Sequence, residues 1–122
     1  MKTLRIDHVV VGTEDAAGAA ATFRGHFGLP PAAPLAGGAP TLAIGDARIA
    51  FVAPAADAAV ASAFASGGEG MAVVCLEVAS LRDAETALRQ AGVKCTTAAG
   101  AVEVDREAAH GVRLRLVERP GR

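Results

Sequence analysis

The sequence has no tryptophan and no tyrosine, and four phenylalanines are its only large aromatic residues. Its formal net charge is −1, and the only basic cluster is the C-terminal run from Arg113 to Arg122. A chain without aromatic platforms or a broad positive surface is not expected to bind nucleic acid. Its 52% hydrophobic residues are mainly alanine, valine, leucine and isoleucine. Because such small side chains leave room in a core, the composition favours a pocket for a small molecule.

Cysteine is also scarce, since Cys75 and Cys95 are the only two and no CxxC pair occurs. This argues against a disulfide framework or a zinc site and indicates a reducing compartment. No apolar run approaches the roughly 20 residues of a membrane-spanning helix. The first five residues lead directly into a predicted strand, without the apolar segment of a signal peptide. We therefore expect a soluble cytoplasmic protein that does not bind membranes.

At 122 residues the chain is predicted to form a single domain, 1–122. Hydrophobic alternation, capping residues and glycine or proline stops define the predicted elements. Those of the first half are strand 4–11, a helix from Thr13 or Asp15 to Phe27, and strands 41–44 and 47–53. A helical linker, 54–68, leads to strand 71–78, a helix from Leu81 to Ala91 capped by Ser80, and strands 93–97, 101–104 and 112–118.

The two halves are predicted to be an internal repeat with an offset of 65 residues. The offset aligns Asp15 with Ser80 as helix caps and Phe23 with Leu88 within the helices. We therefore expect two βαβββ units, 4–53 and 69–118.

Side chains alternate between the two faces of a strand, so the predicted strands divide into two sets. One set is apolar and is expected to pack under the helices: Val9, Val11, Ile49, Phe51, Val74, Leu76, Val78, Val112, Leu114 and Leu116. The other set is mixed and is expected to face a ligand: Ile6, His8, Val10, Arg48, Ala50, Val52, Met71, Val73, Cys75, Glu77, Arg113, Arg115 and Val117.

Several short motifs occur together in this chain. They are Asp7-His8-Val9-Val10, Phe27-Gly28-Leu29, Gly68-Glu69-Gly70-Met71 and Cys75-Leu76-Glu77-Val78. In this order and spacing the chain resembles the vicinal oxygen chelate superfamily, which includes glyoxalase I, bleomycin resistance proteins and extradiol dioxygenases. Within it, the sequence is most similar to the methylmalonyl-CoA epimerases.

The resemblance implies an α+β fold in which two βαβββ units form a cupped, mostly antiparallel mixed sheet with the helices outside. Proteins of this family hold a divalent metal at four positions, which match His8, Ala50, Val73 and Arg115 here. Only His8 can ligate a metal, and Arg115 adds a positive charge. We therefore expect neither a metal nor another cofactor, and metal-dependent epimerase or glyoxalase activity is disfavoured.

His8 and Arg115 are the candidate catalytic residues. His8 could transfer a proton near neutral pH, or it could remain from a lost metal site. Arg115 could bind a carboxylate, a phosphate or a developing enolate. Alternatively, Arg115 pairs internally with Glu77 or lies at a dimer interface.

The candidate ligand-binding residues are Arg48, Val73, Cys75, Glu77 and Arg113. Each has a structural alternative as well. The two arginines could be solvated at strand ends, Cys75 could be a buried inert thiol, and Glu77 could be a salt-bridge residue or a rim residue.

Besides a degenerate subunit that only dimerises, two functions remain open. The first is a metal-independent protein that binds an anionic or carbonyl-bearing small molecule and catalyses an isomerase or lyase step. The second is a non-catalytic binding or sequestration protein of the bleomycin-resistance type. A homodimer is expected in either case, because the resemblance suggests one and exposed sheet edges favour association.

Overall fold

The computed structural model describes residues 1–35, 37–98 and 100–118. Its strands are β1 (Thr3–Gly12), β2 (Thr41–Ile44), β3 (Ala47–Val52), β4 (Gly70–Val78), β5 (Cys95–Ala98), β6 (Ala101–Val104) and β7 (Leu114–Val117). The α-helices are α1 (Ala16–Phe27), α2 (Ala58–Gly67) and α3 (Leu81–Gln90), and short 3-10 helices cover Pro54–Ala56 and Arg106–Ala109. The end of the basic C-terminal run, 119–122, lies outside the described residues. Within those residues, no helix is both long and apolar enough to cross a bilayer.

Hydrogen bonding connects the strands in the order β2-β3-β1-β4-β7-β6-β5. The pairs β1–β3 and β4–β7 are parallel, whereas β2–β3, β5–β6 and β6–β7 are antiparallel. The predicted α+β class with a mixed, mostly antiparallel sheet is confirmed.

The chain forms two compact units. The central unit is His8–Val73, and the terminal unit combines Met1–Asp7 with Val74–Arg122. The single domain and the internal repeat of 4–53 and 69–118 remain predictions.

In the central unit, α1 packs on one face of the strands. Asp15 starts this helix, since its carboxylate accepts a hydrogen bond from the Gly18 N–H at 3.0 Å. Gly28 ends it with a left-handed φ of 66°. The core under α1 consists of Ala20, Leu42 and Phe51, with Val11, Ala16, Ala19, Phe23, Leu29 and Ile49 packed against it. Of the two predicted caps Asp15 is the one observed, and the stop at Gly28 and the helix-facing placement of Val11, Ile49 and Phe51 are as predicted.

Two complete βαβββ units contain eight strands, whereas the part of the chain that the structure describes forms a sheet of seven. The nearest substitute lies beside β2, where the Ala32 N–H donates to the Thr41 carbonyl at 2.9 Å. Only Pro31 forms a bridge there, opposite Leu42. Pro30 and Pro31 have no N–H, so this segment cannot extend a hydrogen-bonded ladder.

In the terminal unit, α3 packs on β4, β6 and β7. Ser80 starts α3 by accepting a hydrogen bond from the Asp83 N–H at 3.2 Å, as predicted. The buried core is Val78, Ala84, Val102 and Leu116, surrounded by Leu76, Leu81, Leu88, Cys95 and Val104. The predicted helix-facing residues Leu76, Val78 and Leu116 are therefore confirmed.

Three predicted segments differ from the structure by two residues or more. The predicted strand 93–97 is β5, which begins at Cys95. The linker helix is divided at Asp57, whose carboxylate accepts hydrogen bonds from Ala59 N–H at 2.9 Å and Val60 N–H at 3.3 Å and so starts α2. The last strand begins at Leu114, because His110 and Gly111 have φ values of 56° and 89°, outside the extended region. Val112 consequently lies outside the strand and is exposed, and its predicted packing under a helix is wrong.

Replacing the fully buried Phe51 with alanine is expected to lower the free energy of unfolding by about 3 to 5 kcal/mol, since it leaves a cavity under α1. Phe27 is a matched control because its side chain is 65% exposed. Phe27→Ala should cost less than about 1 kcal/mol. Urea unfolding followed by circular dichroism measures both values, and equal losses would contradict the core assignment.

Candidate functional site

His8, the predicted proton-transfer residue, lies on β1 in the central unit. It is opposite Arg48 on the parallel strand β3. Val10, two residues further along β1, is opposite Ala50. His8 is only 6% exposed, and Val10, Ala50 and Val73 are buried as well. The side of this unit that we expected to face a cavity is therefore largely covered.

Helix α2 covers part of that side. Gly12 points to the same face of β1 as His8 and Val10, because alternate residues share a face. A Cβ added at Gly12 would lie 3.0 Å from Cγ1 of Val60, which is itself fully buried on α2. The glycine thus allows α2 to approach β1 closely. Helix α2, which was predicted only as a linker, therefore limits the room for a ligand beside β1.

Arg115, the second predicted catalytic residue, lies on β7 in the terminal unit. Its neighbours across the sheet are Cys75 on β4 and Glu103 on β6. The Arg115 Nε–H donates to Glu103 Oε2, and the two groups form an ion pair. The Arg115 side chain is 17% exposed and that of Glu103 is 36% exposed. A cross-strand carboxylate therefore orients a guanidinium that still reaches solvent.

A second ion pair in the terminal unit involves Glu77, whose predicted structural alternative was a salt-bridge or rim residue. The Glu77 side chain is 1% exposed, and its Oε1 accepts a hydrogen bond from Arg5 Nε at 2.9 Å. Arg5 Nη2 is also 3.8 Å from the buried Asp7 carboxylate. One guanidinium thus neutralises part of the charge of two buried carboxylates. This arrangement is typical of a structural ion pair.

The other predicted ligand-binding residues are distributed between the two units. Arg48 is half-buried in the central unit, and Val73 is fully buried there. In the terminal unit, Arg113 is half-buried and its carbonyl accepts a hydrogen bond from Val74 N–H at 3.0 Å. Cys75 is fully buried and forms no disulfide. Neither arginine is fully solvated, and the burial of Cys75 agrees with an inert thiol.

The residues at the four matched positions do not suit a divalent cation. Within the central unit His8 is accompanied by Ala50 and Val73, which have no donor atoms in their side chains. At the fourth position, in the terminal unit, Arg115 is a cation already bound to Glu103. Among the described residues there is no cluster of three or more His, Cys, Asp or Glu that could hold a metal ion. A divalent metal needs several anionic or imidazole ligands, and the residues at these four positions do not supply them.

Sequence reasoning did not single out Glu103 or Arg5. A cross-strand partner can be identified only when the register between two strands is known, because a shift of one residue moves a side chain to the other face. The Arg115–Glu103 pair depends on the β6–β7 register, and that register is not encoded in either strand alone. The available signal was a single acidic residue within an otherwise apolar strand, Ala101–Val104.

The fold and the sequence together define the class of the protein. A sequence profile of the Glyoxalase/Bleomycin resistance protein/Dioxygenase superfamily matches residues 5–113. The chain therefore belongs to this superfamily. No curated protein matches it significantly in sequence.

Solved structures of similar fold include methylmalonyl-CoA epimerases. The enzyme from Mycobacterium tuberculosis aligns with a TM-score of 0.80 and 21% identity, over 95% of this chain and 88% of that one. An epimerase in complex with methylmalonyl-CoA and NH4+ aligns with a TM-score of 0.77 and 18% identity, over 98% and 97%. A hypothetical protein from Bacillus halodurans C-125 aligns with a TM-score of 0.83 and 17% identity, over 97% and 96%. The TM-scores establish a shared fold, and sequence identities this low show no more than the fold.

The buried ion pair is expected to matter for stability. Arg5→Ala should lower the free energy of unfolding by about 3 kcal/mol, because it leaves the buried Glu77 and Asp7 carboxylates without their cation. Arg89→Ala is the matched control: Arg89 donates to Glu85 at 2.7 Å on α3, but its side chain is 59% exposed.

The control pair also predicts a pH dependence. The hydrogen bonds from Arg89 and, to a smaller degree, from Thr97 lower the pKa of Glu85, and Glu85 raises the pKa of Arg89. The stabilisation from Glu85 is present above its unfolded pKa and is lost as the pH falls through its lowered folded pKa.

Urea unfolding at neutral pH should show a far smaller loss of unfolding free energy in Arg89→Ala than in Arg5→Ala. Equal losses would contradict the structural role of the Arg5 pair.

Purified protein is expected to contain no stoichiometric transition metal, because the matched positions supply one imidazole and no carboxylate. Elemental analysis after incubation with Mn²⁺, Co²⁺, Ni²⁺ or Zn²⁺ and desalting measures this directly. One bound ion per chain that is lost in His8→Ala would contradict the conclusion that the residues at the matched positions do not bind a metal.

Proposed function

We propose that this superfamily member binds an anionic or carbonyl-bearing small molecule without a metal ion, and that Arg115 contacts the ligand oxygen. The supporting observation is the Arg115–Glu103 pair, which holds a positive group at a position where the resemblance places a metal ligand. A guanidinium can replace a metal ion in one respect, since both stabilise negative charge on oxygen.

The chemistry of arginine suits this role. A guanidinium has five N–H donors in a fixed plane, and Glu103 accepts the one on Nε. A bond at that single position restrains the rotation of the group. Oriented N–H donors bind a carboxylate or an enolate oxygen more strongly than mobile ones, because less side-chain entropy is lost on binding.

His8 is the proposed proton-transfer residue. In an isomerase or lyase reaction, His8 would take a proton from a carbon next to the ligand carbonyl. An isomerase would return that proton to carbon, whereas a lyase would release a leaving group. The burial of His8 restricts this chemistry to a small reacting group.

The second candidate function is binding without turnover. One observation favours it: Arg115 occupies the fourth metal-ligand position that the resemblance implies, and an arginine cannot act as a base at physiological pH. His8 would then only donate or accept a hydrogen bond. The two functions differ in proton transfer and share the contribution of Arg115 to affinity.

We also propose a cytoplasmic homodimer. The absence of disulfides at Cys75 and Cys95 suits a reducing compartment. The apolar residues Leu4, Ile6 and Met71 are between 44% and 69% exposed, and a second copy could cover such surfaces.

Ligand titration tests the role of Arg115. Pyruvate combines a carbonyl with a carboxylate, and methylmalonyl-CoA is the compound bound by one of the structural relatives. Arg115→Ala should weaken binding of both compounds by about 10- to 100-fold, the typical value of a charge-assisted hydrogen-bonded pair. Arg82→Ala removes an exposed arginine on α3 and should leave both affinities unchanged. Equal affinities in wild type and Arg115→Ala would contradict the proposed site.

Deuterium exchange separates the two functions. If the protein is an enzyme, wild type in D2O will incorporate deuterium next to the carbonyl of a bound compound, and His8→Asn will bind but not exchange. Tight binding without exchange in wild type favours the sequestration protein. NMR of the ligand detects both results.

A further inference from the structure

Glu103 is the counterion of Arg115 on the neighbouring strand. Its carboxylate lies opposite Arg115 on the neighbouring strand and accepts the Nε–H, so the two formal charges cancel locally. Both side chains belong to the terminal unit and share the face of the sheet opposite α3. A ligand at the guanidinium is therefore also close to the Glu103 carboxylate.

The strands β4 to β7 add no net positive charge to this face. Alternation places the charged residues Glu77, Glu103 and Arg115 on it, two anions and one cation. The buried carboxylate of Glu77 is bound to Arg5, with Asp7 nearby. These strands therefore provide no surplus of positive charge that would attract an anion.

Resting on the proposed function, we infer that Glu103 is a positioning residue that makes Arg115 selective for a neutral carbonyl oxygen over a carboxylate. A carbonyl accepts guanidinium hydrogen bonds without bringing a second negative charge near Glu103. A carboxylate would make the same bonds but would be repelled by the Glu103 carboxylate at short range. Of the two ligand classes in the proposed function, the carbonyl-bearing one is therefore favoured.

Glu103 is accessible enough to be substituted without damage to the core. Its side chain is 36% exposed and lies at the wall of an open cleft of about 640 Å³. Glu103→Gln keeps the shape and an oxygen that can accept the Arg115 Nε–H, but it removes the charge. Asp105 lines the same cleft and caps a 3-10 helix by accepting from Glu107 N–H at 3.0 Å, a contact that asparagine preserves. Asp105→Asn is therefore the matched control.

The test uses pyruvamide and pyruvate, which have the same shape and differ in charge. The Arg115 Nε–H resonance, assigned by its loss in Arg115→Lys, is titrated with each compound in full-length protein. Wild type should bind pyruvamide at least as tightly as pyruvate. Glu103→Gln should lower the ratio of the pyruvate to the pyruvamide dissociation constant by roughly tenfold, the effect expected from removing one nearby charge. Asp105→Asn should leave the ratio unchanged.

A third variant distinguishes positioning from charge alone. Glu103→Ala removes both the charge and the acceptor, so binding of pyruvamide should weaken, whereas Glu103→Gln should retain it. A merely structural role would change the unfolding free energy without changing the ratio of the two affinities.

The outcomes separate this inference from the proposed function. If the Arg115 resonance responds to neither compound in wild type or in any Glu103 variant, both are wrong. If it responds but Glu103→Gln leaves the ratio unchanged, or Asp105→Asn lowers it equally, only the role of Glu103 is overturned.

Discussion

The alternation of side chains along each strand is the constraint on which the rest of this structure depends. It sends apolar residues under α1 and α3, and it sends Glu77, Glu103 and Arg115 to the face opposite α3 in the terminal unit. Strand register then determines which of those charges meet. Arg115 lies opposite Glu103 and Cys75 only because β7 pairs with β6 and β4 in one register. The chemistry of the candidate site is thus a consequence of β-sheet geometry.

Much of the fold could be predicted because its signals are local. The bounds of β2 and β6 agree with the predicted strands, and Asp15, Ser80 and Gly28 act at helix ends as their chemistry suggests. The differences arise where several weak signals compete. Asp57 divides the predicted linker helix, and the left-handed backbone at His110 delays β7.

The candidate site was less predictable, because charges pair through long-range register. His8 and Arg115 could be identified from family resemblance, but their surroundings could not. The covering of β1 by α2 depends on Gly12, whose missing side chain admits Val60. The pairing of Glu77 with Arg5 joins residues 72 positions apart. In this superfamily member, His8 is buried in one unit, and Arg115 is bound to its own counterion, Glu103, in the other.

The central claim is that an oriented guanidinium at position 115, and not merely a positive charge, binds the ligand oxygen. Arg115→Lys tests it most directly, since lysine keeps the charge but loses the planar set of donors and the Nε–H that Glu103 accepts. Calorimetric titration with pyruvamide should show affinity at least tenfold weaker in the variant than in wild type. Equal affinity in the two proteins would contradict the claim.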